Sequence, residues 1–434
     1  MKRVFEHKLL AWKQRTNALP LILVGARQTG KTYLISEFCK RNFEEVIVMN
    51  FAEKPEYKDF FRPSLAADEI AGRMELFFNR KINTEKTIFF FDEIQDCEEA
   101  ISSLKYFAES PSDYRIVAAG SLLGVKINRL KSSFPVGKVQ LEYLYPMDFE
   151  EFLWALGENL LAEEIRKRYA DNKPFAEIIH GKALQLYRQY LCIGGMPAAV
   201  KNFVECGKDL MLFNSAIAAD ILTGYLADMT KYSENVNSVK IHAVYRSMPL
   251  QLAKQKRFMY KTVEQGGNKD KYQSAIEWLL QANMLLSCML VEVPHPPLAA
   301  YFADSMFKLY LSDVGLLVSL SRLKFGEIAN NAEMMYRGFL TENYVAQTFV
   351  AHGINLNYWS SGNRAEIDFL LELQDGIIPV EVKAAENVRS RSLAAYAAKY
   401  KPVYAIRLSA KNFGFENGIK SVPLYATHCM NYEL

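Results

Sequence analysis

Gly25, Gly30, Lys31 and Thr32 stand in the string GARQTGKT with the spacing GxxxxGK[ST], which suits the binding of a nucleotide's phosphates. The glycines let the chain turn so that successive amides point at phosphate oxygens, with Ala26, Arg27, Gln28 and Thr29 completing the cradle. Lys31 neutralises the β and γ oxygens, and Thr32 offers a hydroxyl to Mg²⁺. An apolar strand over Leu21 to Val24 precedes the loop and a helical pattern follows it. That order aims a helix N-terminus at the anion, which a chance glycine turn would not need.

A pair of acids extends the chemistry from binding to hydrolysis. KTIFFFDEIQ reads as a buried parallel strand, Ile88 to Phe91, ending in Asp92 and Glu93. Beside a phosphate loop, Asp92 is placed to hold Mg²⁺ and Glu93 to polarise the attacking water as a base. ATP is the expected nucleotide. Ser121 closes a third strand, YRIVAAGS, as a candidate sensor of the γ-phosphate, although a serine there is more plainly turn chemistry. Arg27 and Arg129 are candidate arginine fingers that spacing cannot separate. A finger supplied in trans would make turnover depend on oligomerisation.

A second constellation lies near the other end. The alternating runs EIDFLLELQ (366–374) and IIPVEVK (377–383) flank Asp375-Gly376, a two-residue hairpin signal. Such a turn would put Asp368 opposite Lys383 and Leu370 opposite Glu381. Asp368, Glu381 and Lys383 then share one face. Two acids can hold Mg²⁺, whose charge lowers the pKa of bound water, while Lys383 orients that water or stabilises the developing anion. Glu342, on a helical run that Gly353 stops, is a candidate further metal ligand. The bland alternative is an exposed ladder of ion pairs worth under about 1 kcal/mol.

The elements that must position these residues divide the 434-residue chain into two to four domains of ordinary size. We expect a nucleotide domain over 1–145, a helical lid over 146–210, a helical, winged-helix-like region over 211–325 and an α/β domain over 326–434. Gly194, Gly195 and Pro197 read as a stop and restart between two lid helices. In 231–271 nine Lys or Arg face three acids, a local excess that suits phosphate contacts or a solvated helix face. The net charge of +3 is too small to recruit nucleic acid by itself. Six scattered cysteines, with no CxxC pair, read as reduced thiols of a cytoplasmic protein. The N-terminus suits an amphipathic helix rather than a signal peptide, and no apolar run reaches membrane-spanning length.

Taken in order, GARQTGKT, FFFDEIQ, AAGSLLG, FPVGKV, LYPMDFEEFL, IGGMPAAV, FKLYLSDVGLL, GFLTENYVAQ, EIDFLLE and PVEVKA span nearly the whole chain. The chain resembles the bacterial and archaeal AAA+-type P-loop ATPases that carry a C-terminal domain similar to PD-(D/E)XK nucleases. The resemblance implies an α/β P-loop NTPase domain with a helical lid and a restriction-endonuclease-like C-terminal domain. It places Gly25, Gly30, Lys31 and Thr32 in the nucleotide loop, Asp92 and Glu93 as the Mg²⁺ and water-activating acids, and Ser121 at the sensor strand. Glu342, Asp368, Glu381 and Lys383 match the nuclease-like motif. The expected function is Mg²⁺-dependent ATP hydrolysis coupled to DNA or RNA, with nuclease action as a separable addition. The alternative is a nucleotide-dependent switch that holds nucleic acid or a protein partner without cutting.

Overall fold

The computed structural model describes all residues except 128–133, 232–234, 255–256, 330–335, 363–364, 375, 385–390 and 434. Arg129 and Asp375 therefore lie outside the described residues, as do Glu234 and Lys256 of the basic segment. The chain forms two compact units, one of Lys2–Tyr145 with Gln281–Asn283, the other of Met1, Pro146–Leu280 and Met284–Leu434.

In the first unit five parallel strands, β1 (Leu21–Val24), β2 (Glu45–Asn50), β3 (Thr87–Asp92), β4 (Arg115–Gly120) and β5 (Gln140–Tyr143), lie in the order β2-β3-β4-β1-β5. Helices over Lys31–Asn42, Ala67–Phe78 and Glu98–Glu109 form the crossovers. The continuous apolar strings LILV and IFFF follow from burial on both faces. Alternate residues divide between two cores: Ile22, Val24, Phe89, Phe91, Ile116 and Ala118 enter one, and Leu21, Leu23, Ile88, Phe90, Val117 and Ala119 enter the other. Each fully buried phenylalanine contributes roughly 1.5–3 kcal/mol. Because all strands run the same way, the residues that follow β1, β3 and β4 gather along one sheet edge, where such folds bind ligands.

The second unit begins with helices over Phe149–Ala155, Asn159–Asp171, Glu177–Ile193 and Pro197–Glu205. Asp148 opens the first through a reciprocal capping box with Glu151, and its other oxygen lies 2.7 Å from His352 Nε2. Burial would raise the Asp148 carboxyl, but the hydrogen bond and charge of His352 outweigh it and hold it at about 2. The turn at Gly194-Gly195 is structural, as expected: a Cβ on Gly195 would come within 1.9 Å of the Met147 carbonyl oxygen.

Helices over Ala216–Lys231, Asn235–Lys254 and Lys269–Gln281 then lead into an antiparallel pair, β6 (Leu285–Val291) and β7 (Phe302–Leu311). This pair does not stand alone as a wing. It belongs to a four-stranded sheet, β7-β6-β8-β9, completed by β8 (Asn357–Ser360) and β9 (Glu366–Ile367) from beyond residue 326. The other sheet of the unit is mixed and ordered β10-β11-β12-β14-β13, with β10 (Phe369–Leu373), β11 (Gly376–Val382), β12 (Ala405–Ser409), β13 (Gly414–Glu416) and β14 (Ile419–Pro423).

The β10–β11 hairpin differs from the sequence-based register by two residues. Leu373 pairs with Gly376 and Leu370 with Pro379, not with Glu381. Gly376 belongs to the strand and Gln374 to the turn. An even shift keeps the same side chains of the two paired strands on each face, although the expected partners change.

Candidate nucleotide site and a lysine-bridged carboxylate site

The phosphate loop is shaped by two glycines for two reasons. A Cβ on Gly25 would approach the Leu144 carbonyl oxygen to 2.2 Å, so the close passage of the backbone excludes any side chain. Gly30 has φ +91°, in the left-handed region, and caps the helix Lys31–Asn42. Arg3, which sequence reading missed, braces the loop from outside: its guanidinium donates to the carbonyl of Thr29 at 2.9 Å and to that of Tyr145 at 2.6 Å. Thr29 itself donates to the Ala26 carbonyl at 3.0 Å.

Lys31 is buried and its ammonium donates to the carbonyls of Gly25 at 2.9 Å and Ala26 at 2.8 Å. Burial lowers its pKa to about 8, against the raising influence of Glu93 and Asp92, with Arg27 lowering it further. Thr32 Oγ1 donates to Asp92 Oδ1 at 3.0 Å, so the two residues expected to hold Mg²⁺ are already in contact. Asn50, which ends β2, donates to Asp92 Oδ2 at 3.1 Å. Burial raises the Asp92 carboxyl, with the Glu93 charge adding to it and the Thr32 hydrogen bond opposing.

Glu93 has φ +51° and accepts a hydrogen bond from Gln95 Nε2. The oxygen of the same amide, Gln95 Oε1, is buried without a hydrogen-bond partner. Ser121 is buried directly after Gly120, whose Cβ would lie 2.7 Å from Gln95 Oε1. Gln28 is exposed and Arg27 half-buried on the loop. A polar residue at the end of an apolar strand was the readable signal for Asn50; Arg3 left none, because its contacts are to backbone carbonyls far along the chain.

These residues fit a nucleotide with Mg²⁺. Thr32 and Asp92 would hold the ion, which when bound neutralises phosphate charge. Lys31 would exchange its carbonyl partners for phosphate oxygens, regaining in the exchange the opposite charge that its burial lacks.

In the second unit, Glu381 and Lys383 form an ion pair of which only the lysine reaches solvent. Glu381 is only 2 % exposed on the interior strand β11, and its Oε1 lies 3.2 Å from Lys383 Nζ. Asp368 precedes β10 and accepts from the Val382 amide at 2.7 Å. Its pKa is raised to about 7, first by burial and then by the Glu342 charge. Glu342 lies on the helix Arg337–Ala351.

Glu342 is, however, already engaged. Its Oε1 accepts from Lys308 Nζ at 2.9 Å and from the Tyr310 hydroxyl at 2.5 Å. Lys308 also lies 2.7 Å from Glu366 Oε1. Burial would raise the Glu342 carboxyl, but the charge of Lys308 and the two hydrogen bonds win and lower it.

Glu381 Oε2 is buried without a hydrogen-bond partner, an orphan that a cation would satisfy. Yet among the described residues no three His, Cys, Asp or Glu side chains form a group that could hold a metal ion. The expected set of Glu342, Asp368 and Glu381 is therefore not assembled as metal ligands, and as they stand these residues do not fit Mg²⁺. Lys308, Tyr310 and Glu366 were missed, although the alternation in FKLYL puts Lys308 and Tyr310 on one face of β7.

Residues 17–153 match the AAA domain family. Residues 184–327 and 337–427 match two domains of unknown function, DUF8612 and DUF4143, so the C-terminal match names no nuclease. No curated protein matches. Similar solved structures include a Walker-type ATPase of Pyrococcus abyssi, 15 % identical, covering 73 % of this chain and 94 % of that one, with a TM-score of 0.45. The Aeropyrum pernix ORC1 protein in complex with DNA is 14 % identical over 74 % of this chain and 93 % of its own, at a TM-score of 0.29. The Aeropyrum pernix ORC2 protein is 13 % identical over 75 % and 91 %, at 0.34. Scores below 0.5 leave the functional reading to the residues themselves. The parallel sheet, the loop and the family match define the first unit as an AAA-type P-loop domain.

Proposed function

We propose that the protein is a Mg²⁺-dependent ATPase that couples ATP turnover to the binding or processing of nucleic acid. The contact of Thr32 with Asp92 beside the buried, carbonyl-bound Lys31 carries this reading. Lys31 draws the β and γ phosphates into the loop, and the amides of the cradle fix their orientation. Glu93 takes the proton of the water whose oxygen bonds to the γ-phosphorus as the bond to the bridging oxygen of ADP breaks. The basic segment 231–271 supports contact with a phosphate backbone. Six cysteines free of disulfides suit a cytoplasmic setting.

Phosphate release by the purified protein with Mg²⁺ and ATP, with and without single- and double-stranded DNA and RNA, tests this. Release that polymer changes is expected; no release in any mixture would refute it. The polymers of the same reaction, resolved on a gel, report any cleavage involving Glu381 and Lys383.

The hold of Gln95 on Glu93 favours a second reading, a nucleotide-dependent switch that binds nucleic acid or a protein partner without cutting. Slow turnover follows when the base is engaged elsewhere. Partner affinity measured with ATP, with ADP and without nucleotide should then differ, and equal affinities would remove the switch.

A further inference from the structure

A buried ammonium is costly unless carboxylates surround it. Lys308, on β7, is only 7 % exposed, and its Nζ lies between Glu342 Oε1 at 2.9 Å and Glu366 Oε1 at 2.7 Å. The Tyr358 ring faces the same nitrogen, 5.0 Å from its centroid. Tyr310 closes the arrangement by donating to the Glu342 oxygen that Lys308 already holds. The ammonium thus stands where a cation bridging the two glutamates would stand. A cavity of about 160 Å³ adjoins it, with Arg257 and Gln251 also in the wall. The carboxylates are not shut off from solvent ions by packing alone.

We propose that Lys308 is a built-in counter-cation that excludes divalent metal from the carboxylate site of the second unit. A Mg²⁺ ion approaching Glu342 must displace the ammonium or sit against its charge where screening is weak, and Mg²⁺ gives up its water reluctantly. Lys308 ties the two glutamates together without metal. This inference stands apart from the ATPase reading and survives its failure.

The test is a Mn²⁺ titration of the whole chain without nucleotide, followed by the electron paramagnetic resonance of free Mn²⁺. It compares the unaltered protein with Glu342→Gln, Lys308→Met and the double variant, so that any Mn²⁺ held elsewhere is common to all four. The unaltered protein and Glu342→Gln should give the same curve. Lys308→Met should gain a site that the unaltered protein lacks, with a melting temperature that Mn²⁺ raises, and adding Glu342→Gln should remove both. A site in the unaltered protein that Glu342→Gln abolishes overturns the proposal, and that arm does not require a Lys308 variant to fold. A folded Lys308→Met protein that gains no site overturns it equally.

Discussion

Lys31 and Lys308 are both buried lysines close to acids, yet their charges are used in opposite ways. Among the described residues Lys31 hydrogen-bonds to two neutral carbonyls, and burial pulls its pKa down to about 8 against the charges of Glu93 and Asp92. Lys308 bridges two carboxylates. Burial alone would lower its pKa, but Glu342, Glu366 and Asp368 together raise it well above the ordinary lysine value. The first is a cation whose strong partner has to arrive from outside; the second already has its partners inside the fold. A buried lysine therefore marks a ligand site when its partners are weak, and a structural tie when they are charged.

Removing each lysine should separate the two roles most sharply. Lys308→Met leaves Glu342 and Glu366 facing one another without a counter-charge, and should cost about 3–5 kcal/mol in urea denaturation. Lys31→Ala should cost under about 1 kcal/mol in the same measurement, because no charged partner is orphaned. Equal losses would erase the contrast.

Asp92→Asn keeps the Thr32 contact in shape but removes the charge that Mg²⁺ needs, and should lower ATP turnover about 100-fold. A comparable loss from Asp368→Asn would mean that the second unit shares in the hydrolysis.

The pH dependence follows from the same two shifts. Phosphate binding needs the protonated Lys31, so ADP affinity should be level below pH 8, near the free-protein pKa. It should fall above that by up to about tenfold per pH unit. Lys308, with its pKa raised from the ordinary 10.5, contributes its stabilisation throughout that window and loses it only at higher pH. Calorimetry of ADP binding beside urea denaturation at each pH reads both. A parallel decline would contradict the assignment.

The smallest expected effect is at Gln95. Gln95→Ala frees Glu93 and should raise turnover about two- to five-fold in a steady-state assay. A fall would mean that Gln95 holds the base in its working position.

How much of this was legible in the sequence depends on how local each feature is. GARQTGKT and IFFFDE announced themselves because loop, strand and acid are each fixed by a few adjacent residues. Their meeting at Thr32 and Asp92 follows from parallel strands sharing one edge. The hairpin of β10 and β11 was legible as a hairpin, but its register turns on whether Gln374 or Gly376 joins the strand. Alternation cannot decide an even shift. The tie between Glu342 and Lys308 was not legible, because nothing near Glu342 signals a lysine 34 positions earlier on a strand of another segment. Arg3, whose partners are backbone carbonyls, is beyond any reading by residue type.

The most direct test of the ATPase assignment is Mg²⁺-dependent phosphate release from ATP by the whole chain beside its Lys31→Ala form, both shown to be folded by their thermal transitions. Release from the unaltered protein, reduced about 100-fold or more by Lys31→Ala, is the predicted result. Equal release from the two would contradict it.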